Sequence, residues 1–395
     1  MKPLSKIQMF EKPLGMRDSF PEVNEQKEYI RSIAREFIRN KGYDFIKTPS
    51  VEYFETIGKA SAIDESSLFK LVDNQGEMLV LRPDMTTPIA RIAASKLLKE
   101  KNPLRLAYYA NVFRAQQREG GRPAEFEQLG LELIGDFSAY GDSEIIYTAV
   151  ELIKALGVEN FQITIGHAGI LTAILSNNAS KLEQVETLRL LLVEKNFVGF
   201  VQMLDDLKLT DTQKENLTKL VDYTLESKSW EDFRQLLTDE QQYLLDQIEQ
   251  LEQLLEIQLS DSAIYSFDFS LASHMSYYTG MLFEIHAAGS GFPVGNGGRY
   301  DELFRQFEQS VGATGFGIRV DRLLEVLPKK ATDEKHTLLL FDKGSFLKAN
   351  VLAEARRNNG ERVTLQYKDS VHDIEAYQDS FHEIIKVVEG GSASE

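Results

Sequence analysis

The chain has 395 residues and no cysteine; 43% of its residues are hydrophobic and its formal net charge is −17. That length calls for two or three units with a sizeable core, and the missing thiols exclude disulfides, cysteine zinc sites and a cysteine nucleophile. The acidic balance weighs against a surface that wraps a polyanion, because nucleic-acid binders carry a basic face.

No run of about eighteen or more apolar residues occurs, so a transmembrane helix is not expected. The opening MKPLSKIQMFEKPLG holds no apolar stretch of signal-peptide length, which makes the cytosol the expected compartment. The six histidines, His167, His274, His286, His336, His372 and His382, show no H-E-x-x-H spacing. No metal centre is expected from them.

In chain order, Ile30, Ile33, Ala34, Phe37 and Ile38 fall on one stripe, which predicts an amphipathic helix with its apolar face in the core. Gly42 supplies its C-cap. YDFIKTPSVEYF alternates like a strand and is broken at Pro49. LFKLVD, MLVLR, RLAYYANVFR and EFEQLGLELIG follow as strands, at a spacing that predicts an antiparallel sheet rather than repeated βαβ units. GNGGRYD has glycines but neither the dinucleotide-binding spacing nor a P-loop ending.

From 168 to 259 the chain turns rich in Leu, Glu and Gln and poor in Gly and Pro. Leu244, Ile248, Leu251 and Leu255 recur at heptad-like spacing, but the pattern does not persist, so a helical insert is predicted rather than a long coiled coil. Strand signals return at AIYSFDFSL and MLFEIHAAG. A Gly-rich turn follows, then the amphipathic segment GGRYDELFRQF. GATGFGIRVDRLLEVL comes next, where Gly315 and Gly317 permit close backbone approach. Residues 331–395 read strand–helix–strand through HTLLLF, FLKANVLAEARRNNG and RVTLQY, with a further strand at EIIKVV. Eight Lys and Arg stand there against twelve Asp and Glu.

FRAQQREGGRPAEFEQLGLELIG, from Phe113, resembles motif 2 of class II aminoacyl-tRNA synthetases in the histidyl-tRNA synthetase form F-R-x-E-x-x-x-x-G-R-x-R-x-F-x-Q. GFGIRVDRLLEVL, from Gly315, resembles motif 3, and GYDFIKTPSVE at 42–52 resembles motif 1 with Pro49. LRPDMTTPIAR at 81–91 and SYYTGMLFEIH at 276–286 are similar to the two histidine-pocket signatures of that subgroup, and GGRYDEL at 297–303 to another of its segments. The resemblance covers 10–165 and 262–327. It implies an α+β class II synthetase-like fold: an antiparallel sheet of about six or seven strands flanked by helices and dimerising through motif 1. Residues 1–167 and 260–328 would form that core, and 168–259 the helical insert. Residues 331–395 would be a short α/β C-terminal domain, the remnant of an anticodon-binding-like domain.

The same resemblance implies roles. Asp84 and Thr86 would hold an ammonium, Gln128 and Glu132 would line the pocket, and Tyr277 and Tyr278 would meet an imidazole. Arg114 would face a carboxylate or phosphate, and Arg114 with Arg322 matches the family's phosphate and adenine contacts. A plainer reading is open for each: Tyr277 and Tyr278 as core aromatics, Glu132 as a solvated strand residue.

The sequence departs from the family pattern where activation chemistry would sit. The motif 2 acid is Gln116, and the second arginine of G-R-x-R is Ala124, although Arg122 remains. R-G-L-D-Y-Y reads Ser273-His274-Met275-Ser276-Tyr277-Tyr278, which puts Ser273 in place of the catalytic arginine and Ser276 in place of the neighbouring acid. A hydroxyl does not replace a guanidinium that holds developing charge, and comparable arginine losses in phosphoryl transfer cost about 10³–10⁵ in rate. His274 is shifted by one residue and only partly protonated at neutral pH. In the short acidic tail, Arg356 and Arg357 form an isolated pair at a helix end, so no tRNA partner is expected.

Taken with Met85 in the LRPDMT signature, this pattern resembles the synthetase-like regulatory subunits of short-form ATP phosphoribosyltransferase. That resemblance implies a non-catalytic chain without cofactor or metal. It would form a self-dimer and assemble with the small catalytic subunit in a hetero-octamer. It would activate that subunit in the first step of histidine biosynthesis and serve feedback inhibition, with L-histidine as ligand. Two enzyme readings compete with it: a working histidyl-tRNA synthetase, and a histidine–AMP ligase using a non-tRNA acceptor. Ser273 counts against both.

Overall fold

The apolar stripe folds as helix α1 (Pro21–Asn40), with Ile30, Ala34 and Ile38 buried and a proline in the first turn, where a missing N–H is tolerated. Gly42 behind it takes φ +83°, the left-handed region that favours glycine. Pro49 then splits the next extended run: β1 (Asp44–Phe45) and β2 (Val51–Tyr53) lie in different sheets. The computed structural model describes residues 11–115, 123–179, 181–226, 229–259, 262–271, 277–328 and 336–389. It divides into two units, Met1–Pro328 and Lys329–Glu395.

In the first unit, β3 (Lys70–Val72) and β4 (Met78–Leu81) join β2 in a small antiparallel sheet of order β2–β4–β3. Helix α2 (Thr86–Ser95), strands β5 (Leu104–Phe113) and β6 (Glu125–Ile134), helix α3 (Ala139–Ala155) and strand β7 (Phe161–His167) follow. The Leu-rich stretch then forms α4 (Ala168–Asn178), α5 (Leu182–Val193), α6 (Phe197–Asp206), α7 (Asp211–Leu225) and α8 (Tyr243–Gln258). These helices close on their own apolar cluster, which includes Ile174, Leu188, Phe200, Leu217, Leu244 and Ile248. Further along α8, Leu251 and Leu255 enter the main core, so one helix joins the two clusters. The chain returns through β8 (Tyr265–Phe267), β9 (Met281–Ala287), β10 (Gly295–Arg299), α9 (Asp301–Arg305), β11 (Ala313–Arg319) and α10 (Val320–Val326).

The main sheet has eight strands in the order β1–β5–β6–β11–β10–β9–β7–β8. The five pairs from β5 through to β7 are antiparallel, as expected. The two edge strands are parallel to their neighbours. Each edge strand is separated from its partner in sequence by a long crossover that contains helices, the connection a parallel pair requires.

The glycine-rich turn lies before residue 295, and strand β10 takes the last two residues expected in it together with the first three of the segment expected as amphipathic, Gly297 to Arg299. A Cβ on Gly297 would stand 2.5 Å from the Gly315 carbonyl oxygen and 2.5 Å from the Phe283 ring. Glycine lets the three central strands close there.

Period-two alternation separates the faces. Leu129, Leu131 and Leu133, with Phe283, Ile285, Phe316 and Ile318, enter the core shared with α1 and α3. Gln128, Gly130 and Glu132 share the opposite face with Tyr108, Gly315, Gly317 and Arg319, which are their register partners.

The second unit runs β12 (His336–Phe341), α11 (Phe346–Asn358), β13 (Arg362–Tyr367), α12 (Ile374–Gln378) and β14 (Glu383–Val387). Its parallel sheet has the order β13–β12–β14. Ala349 and Ala353 of α11 pack on Leu339, Val363, Ile385 and Val387. Among the described residues no helix is long and apolar enough to cross a membrane.

Candidate functional site

The site begins with a floor that has almost no side chains of its own. On β6 and β11, a Cβ on Gly315 would stand 2.0 Å from Oε2 of Glu132, and one on Gly317 would stand 2.1 Å from Nε2 of Gln128. A Cβ on Gly130 would stand 2.3 Å from the Tyr108 hydroxyl. The missing side chains are what let Glu132, Gln128 and Tyr108 lie across the neighbouring strands.

Two buried carboxyl groups meet over this floor. Asp84 precedes α2 and is 2% exposed. Its Oδ2 accepts from Ser61 Oγ at 2.6 Å and its Oδ1 from the Thr87 N–H at 2.8 Å. Glu132 is 1% exposed. Its Oε1 accepts from Thr86 Oγ1 at 2.8 Å, and its Oε2 accepts from the Tyr300 hydroxyl. Burial pushes the Glu132 carboxyl up to about 8; the Tyr300 and Thr86 hydrogen bonds pull it back, and the Asp84 charge pushes it further up. Asp84 has the buried Arg114 guanidinium within electrostatic range, but Glu132 has only neutral donors and the Asp84 charge near it, so the pair still suits a ligand that brings an ammonium or another N–H cation.

The wall is aromatic. The Tyr277 ring stands edge-on to Tyr278, with centroids 5.2 Å apart, and to Tyr300 at 5.8 Å. The Asn296 amide donates to the Tyr278 hydroxyl at 3.4 Å. Burial raises the hydroxyls of Tyr108, Tyr277, Tyr278 and Tyr300, so all four remain protonated donors at neutral pH. Arg114 donates from Nε to the Pro83 carbonyl at 2.9 Å, and burial lowers its pKa. Oε1 of Gln128 is buried with no hydrogen-bond partner among the described residues; a buried acceptor in that state is one a ligand can satisfy.

Asp84, Thr86, Glu132 and Tyr277 thus form one connected set, with Arg114, Gln128 and Tyr278 around it. Arg322, on α10, donates to the Pro293 carbonyl and lies 5.2 Å from the Phe292 ring centroid. Ala124 is fully buried, and a Cβ on Gly15 would stand 2.7 Å from its methyl group. Gln116, Ser273 and Ser276, expected as the degraded activation residues, lie outside the described residues.

Two site residues escaped the sequence reading. Tyr300 lies inside the GGRYDEL segment, but its reach to Glu132 depends on the order of β10 and β11. Arg319 stands opposite Gln128 in the register of β11 and β6, and its guanidinium lies 3.7 Å from the Phe126 ring centroid. The signal for Arg319 was the alternation Gly315, Gly317, Arg319, which puts it on the pocket face. A separate cavity of about 380 Å³, lined by Trp230, Glu252, Phe267 and Asp268 among others, lies elsewhere, between the insert and β7–β8.

A floor of glycines, paired carboxyls and a tyrosine wall on an antiparallel sheet define a class of protein. A family model described as histidyl-tRNA synthetase matches residues 15–323, and one described as the C-terminal domain of histidyl-tRNA synthetase HisZ matches residues 338–389. A histidyl-tRNA synthetase from Nostoc shares the fold at a TM-score of 0.77 and 19% identity, over 96% of this chain and 92% of that one. Much greater similarity links the chain to an ATP phosphoribosyltransferase regulatory subunit of Lysinibacillus sphaericus: 52% identity, covering 96% of this chain and 98% of that one. One from Bacillus subtilis is 42% identical over 94% and 95% of the two chains. A crystal structure of an ATP phosphoribosyltransferase regulatory subunit/histidyl-tRNA synthetase from Bacillus halodurans superposes with a TM-score of 0.87 at 42% identity, covering 97% and 99%. The chain belongs to the ATP phosphoribosyltransferase regulatory subunit family.

Proposed function

We propose that this chain is the non-catalytic regulatory subunit of ATP phosphoribosyltransferase, acting in the cytoplasm. In this reading it is required for the first step of histidine biosynthesis and for feedback inhibition of that step by histidine. It pairs with itself and joins the short catalytic subunit in a hetero-octamer, and it takes no part in tRNA charging. Its pocket holds L-histidine: Asp84 and Thr86 receive the ammonium, Glu132 and the tyrosines receive the imidazole, and Arg114 faces the carboxylate. Residues 168–259 and 331–395 act as a helical insert and a reduced C-terminal domain attached to the synthetase-like core.

One observation carries the reading. The amino-acid-recognising set of Asp84, Thr86 and Glu132 is kept and closed by hydrogen bonds. Beside it in sequence, the charged groups of activation are replaced by Gln116, Ala124, Ser273 and Ser276. A pocket that still recognises an amino acid, but has no fixed cation for the transition state of adenylation, can report histidine without consuming it.

The test pairs two measurements. The purified chain is expected to show no histidine-dependent exchange of pyrophosphate into ATP, and to co-purify with the short catalytic subunit and raise its activity. Exchange at synthetase-like speed would overturn the reading. A thermodynamic check follows from reciprocity: if histidine lowers substrate affinity through the assembly, substrate must lower histidine affinity by the same factor.

A further inference from the structure

At the Phe126 end of the pocket floor, the chain covers its own aromatic surface. Phe126 precedes Gln128 on the pocket face of β6 and is 5% exposed. The guanidinium of Arg319 lies 3.7 Å from its ring centroid, and that of Arg114 lies 5.4 Å away. Arg319 is pinned in place by a two-pronged pair with Asp321, from Nε to Oδ1 at 3.1 Å and from Nη2 to Oδ2 at 2.7 Å. The residues holding this arrangement come from adjacent elements: Arg319 ends β11 and Asp321 lies in the first turn of α10.

A planar guanidinium on a phenyl ring takes the place that a planar heterocycle would otherwise take. An accessible ring face of this kind is worth a factor of about 5–150 in affinity for a nucleobase. The bidentate carboxylate also neutralises the Arg319 charge, which removes that cation from service to a phosphate chain. One side chain therefore withdraws both features a nucleotide would use here: an open aromatic face and an uncommitted positive charge.

We propose that Arg319 is a specificity-determining residue that closes the Phe126 end of the pocket to nucleosides and nucleotides, so that the site accepts an amino acid alone. The inference rests on the reading of this face as an amino-acid pocket and adds what the site refuses. It also accounts for Asp321: the carboxylate holds the guanidinium over the ring.

Adenosine is the probe, because it carries the base without charge. Calorimetry on the full chain compares the wild type, Arg319→Ala and Asp321→Asn. Arg319→Ala is expected to bind adenosine about ten-fold or more tightly than the wild type. Asp321→Asn, which frees the guanidinium without removing it, is expected to show a smaller gain and serves if the alanine variant does not fold. Inorganic triphosphate is expected to gain nothing in Arg319→Ala, which frees no cation. Equal adenosine affinity in wild type and variants would overturn the proposal, as would an equal gain for triphosphate in Arg319→Ala, because removal of a stacked cover cannot improve binding of a ligand with no ring. Histidine titrated into the wild type tests the amino-acid reading separately, since it does not enter the adenosine comparison.

Discussion

Thr86, the first residue of α2, donates its hydroxyl to Oε1 of Glu132, in the middle of β6, at 2.8 Å. This bond ties a helix N-terminus to the sheet floor across the pocket, and Tyr300 completes the hold from the other oxygen. Both donors are neutral, so they orient the carboxyl without supplying the positive charge it would need to ionise fully at low cost. The pocket is therefore organised in advance, with its charge balance left for a ligand to complete.

The titration of Glu132 follows from this. In the unfolded chain its carboxyl sits near 4.5, whereas in the fold burial raises it to about 8. Between those values the folded protein keeps a proton that the unfolded chain has released. The contribution of this group is therefore fully present below about pH 4.5, falls as pH rises, and is lost through about pH 8. Glu132→Gln has no such slope. Thermal melts without histidine should show the variant and wild type close together near pH 5 and the variant ahead by pH 8, by on the order of a few degrees. Parallel curves across this range would show that Glu132 does not titrate as proposed.

Asp84 is expected to matter for the ligand more than for the fold. Its oxygens accept from Ser61 and from the Thr87 N–H at the start of α2. An asparagine oxygen can still accept one of these bonds, so Asp84→Asn should melt within a few degrees of the wild type. A hydrogen bond to a charged group contributes about 1.5–3 kcal/mol, so calorimetry should show histidine binding weakened by roughly 10–150-fold. Unchanged affinity would place the ligand ammonium elsewhere.

The glycine floor allows a finer distinction. A methyl group on Gly317 first meets the mobile end of Gln128, 2.1 Å away, whereas on Gly315 it meets Glu132 at 2.0 Å and the Leu131 carbonyl at 2.4 Å. Side-chain ends can move; a strand carbonyl in the middle of a sheet cannot. Gly317→Ala should thus weaken histidine binding with little change in stability, because Gln128 swings aside. Gly315→Ala should lose binding and also about 1–3 kcal/mol of stability to overpacking. Denaturant melts and histidine titration on both variants check the contrast, and equal stability losses would refute it.

How far the sequence revealed all this depended on whether a signal was local. Ile30, Ala34 and Ile38 announced α1 because a helical stripe is a short-range pattern, and Leu244, Ile248, Leu251 and Leu255 announced α8 for the same reason. Asp84, Glu132 and Tyr277 were legible through motif resemblance, yet nothing in their spacing shows that Tyr300 would reach Glu132. That contact spans 168 positions and depends on strand order. The parallel pairing of β1 and β8 was hidden likewise, since it is set by crossovers through α2 and through the insert. Gly295–Arg299 did not read as a strand, falling across the end of an expected turn and the start of an expected amphipathic segment, because glycine is a poor strand former on its own. It becomes a strand only where neighbouring backbones and Phe283 leave no room for a side chain.

The same GGRYDEL segment holds a structural test unrelated to the ligand. Arg299 lies in the buried junction between β10 and α3, where it pairs with Asp142 at 2.9 Å and Asp301 at 3.3 Å. It also donates to the carbonyls of Asp136 at 2.8 Å and Ser138 at 3.1 Å. Burial raises the Asp142 carboxyl, and Arg299, with a smaller part from the Thr314 hydroxyl, opposes that rise only in part. Arg299→Met keeps much of the side-chain length but leaves a carboxylate buried without its cation, which should cost about 3–5 kcal/mol. Adding Asp142→Leu removes the more deeply buried of the two stranded carboxylates, Asp301 being the more exposed, so the double variant should be more stable than Arg299→Met alone. Chemical denaturation of both variants decides it: a double variant less stable than the single one would mean that Asp142 is not a stranded charge without Arg299 but contributes through its other contacts.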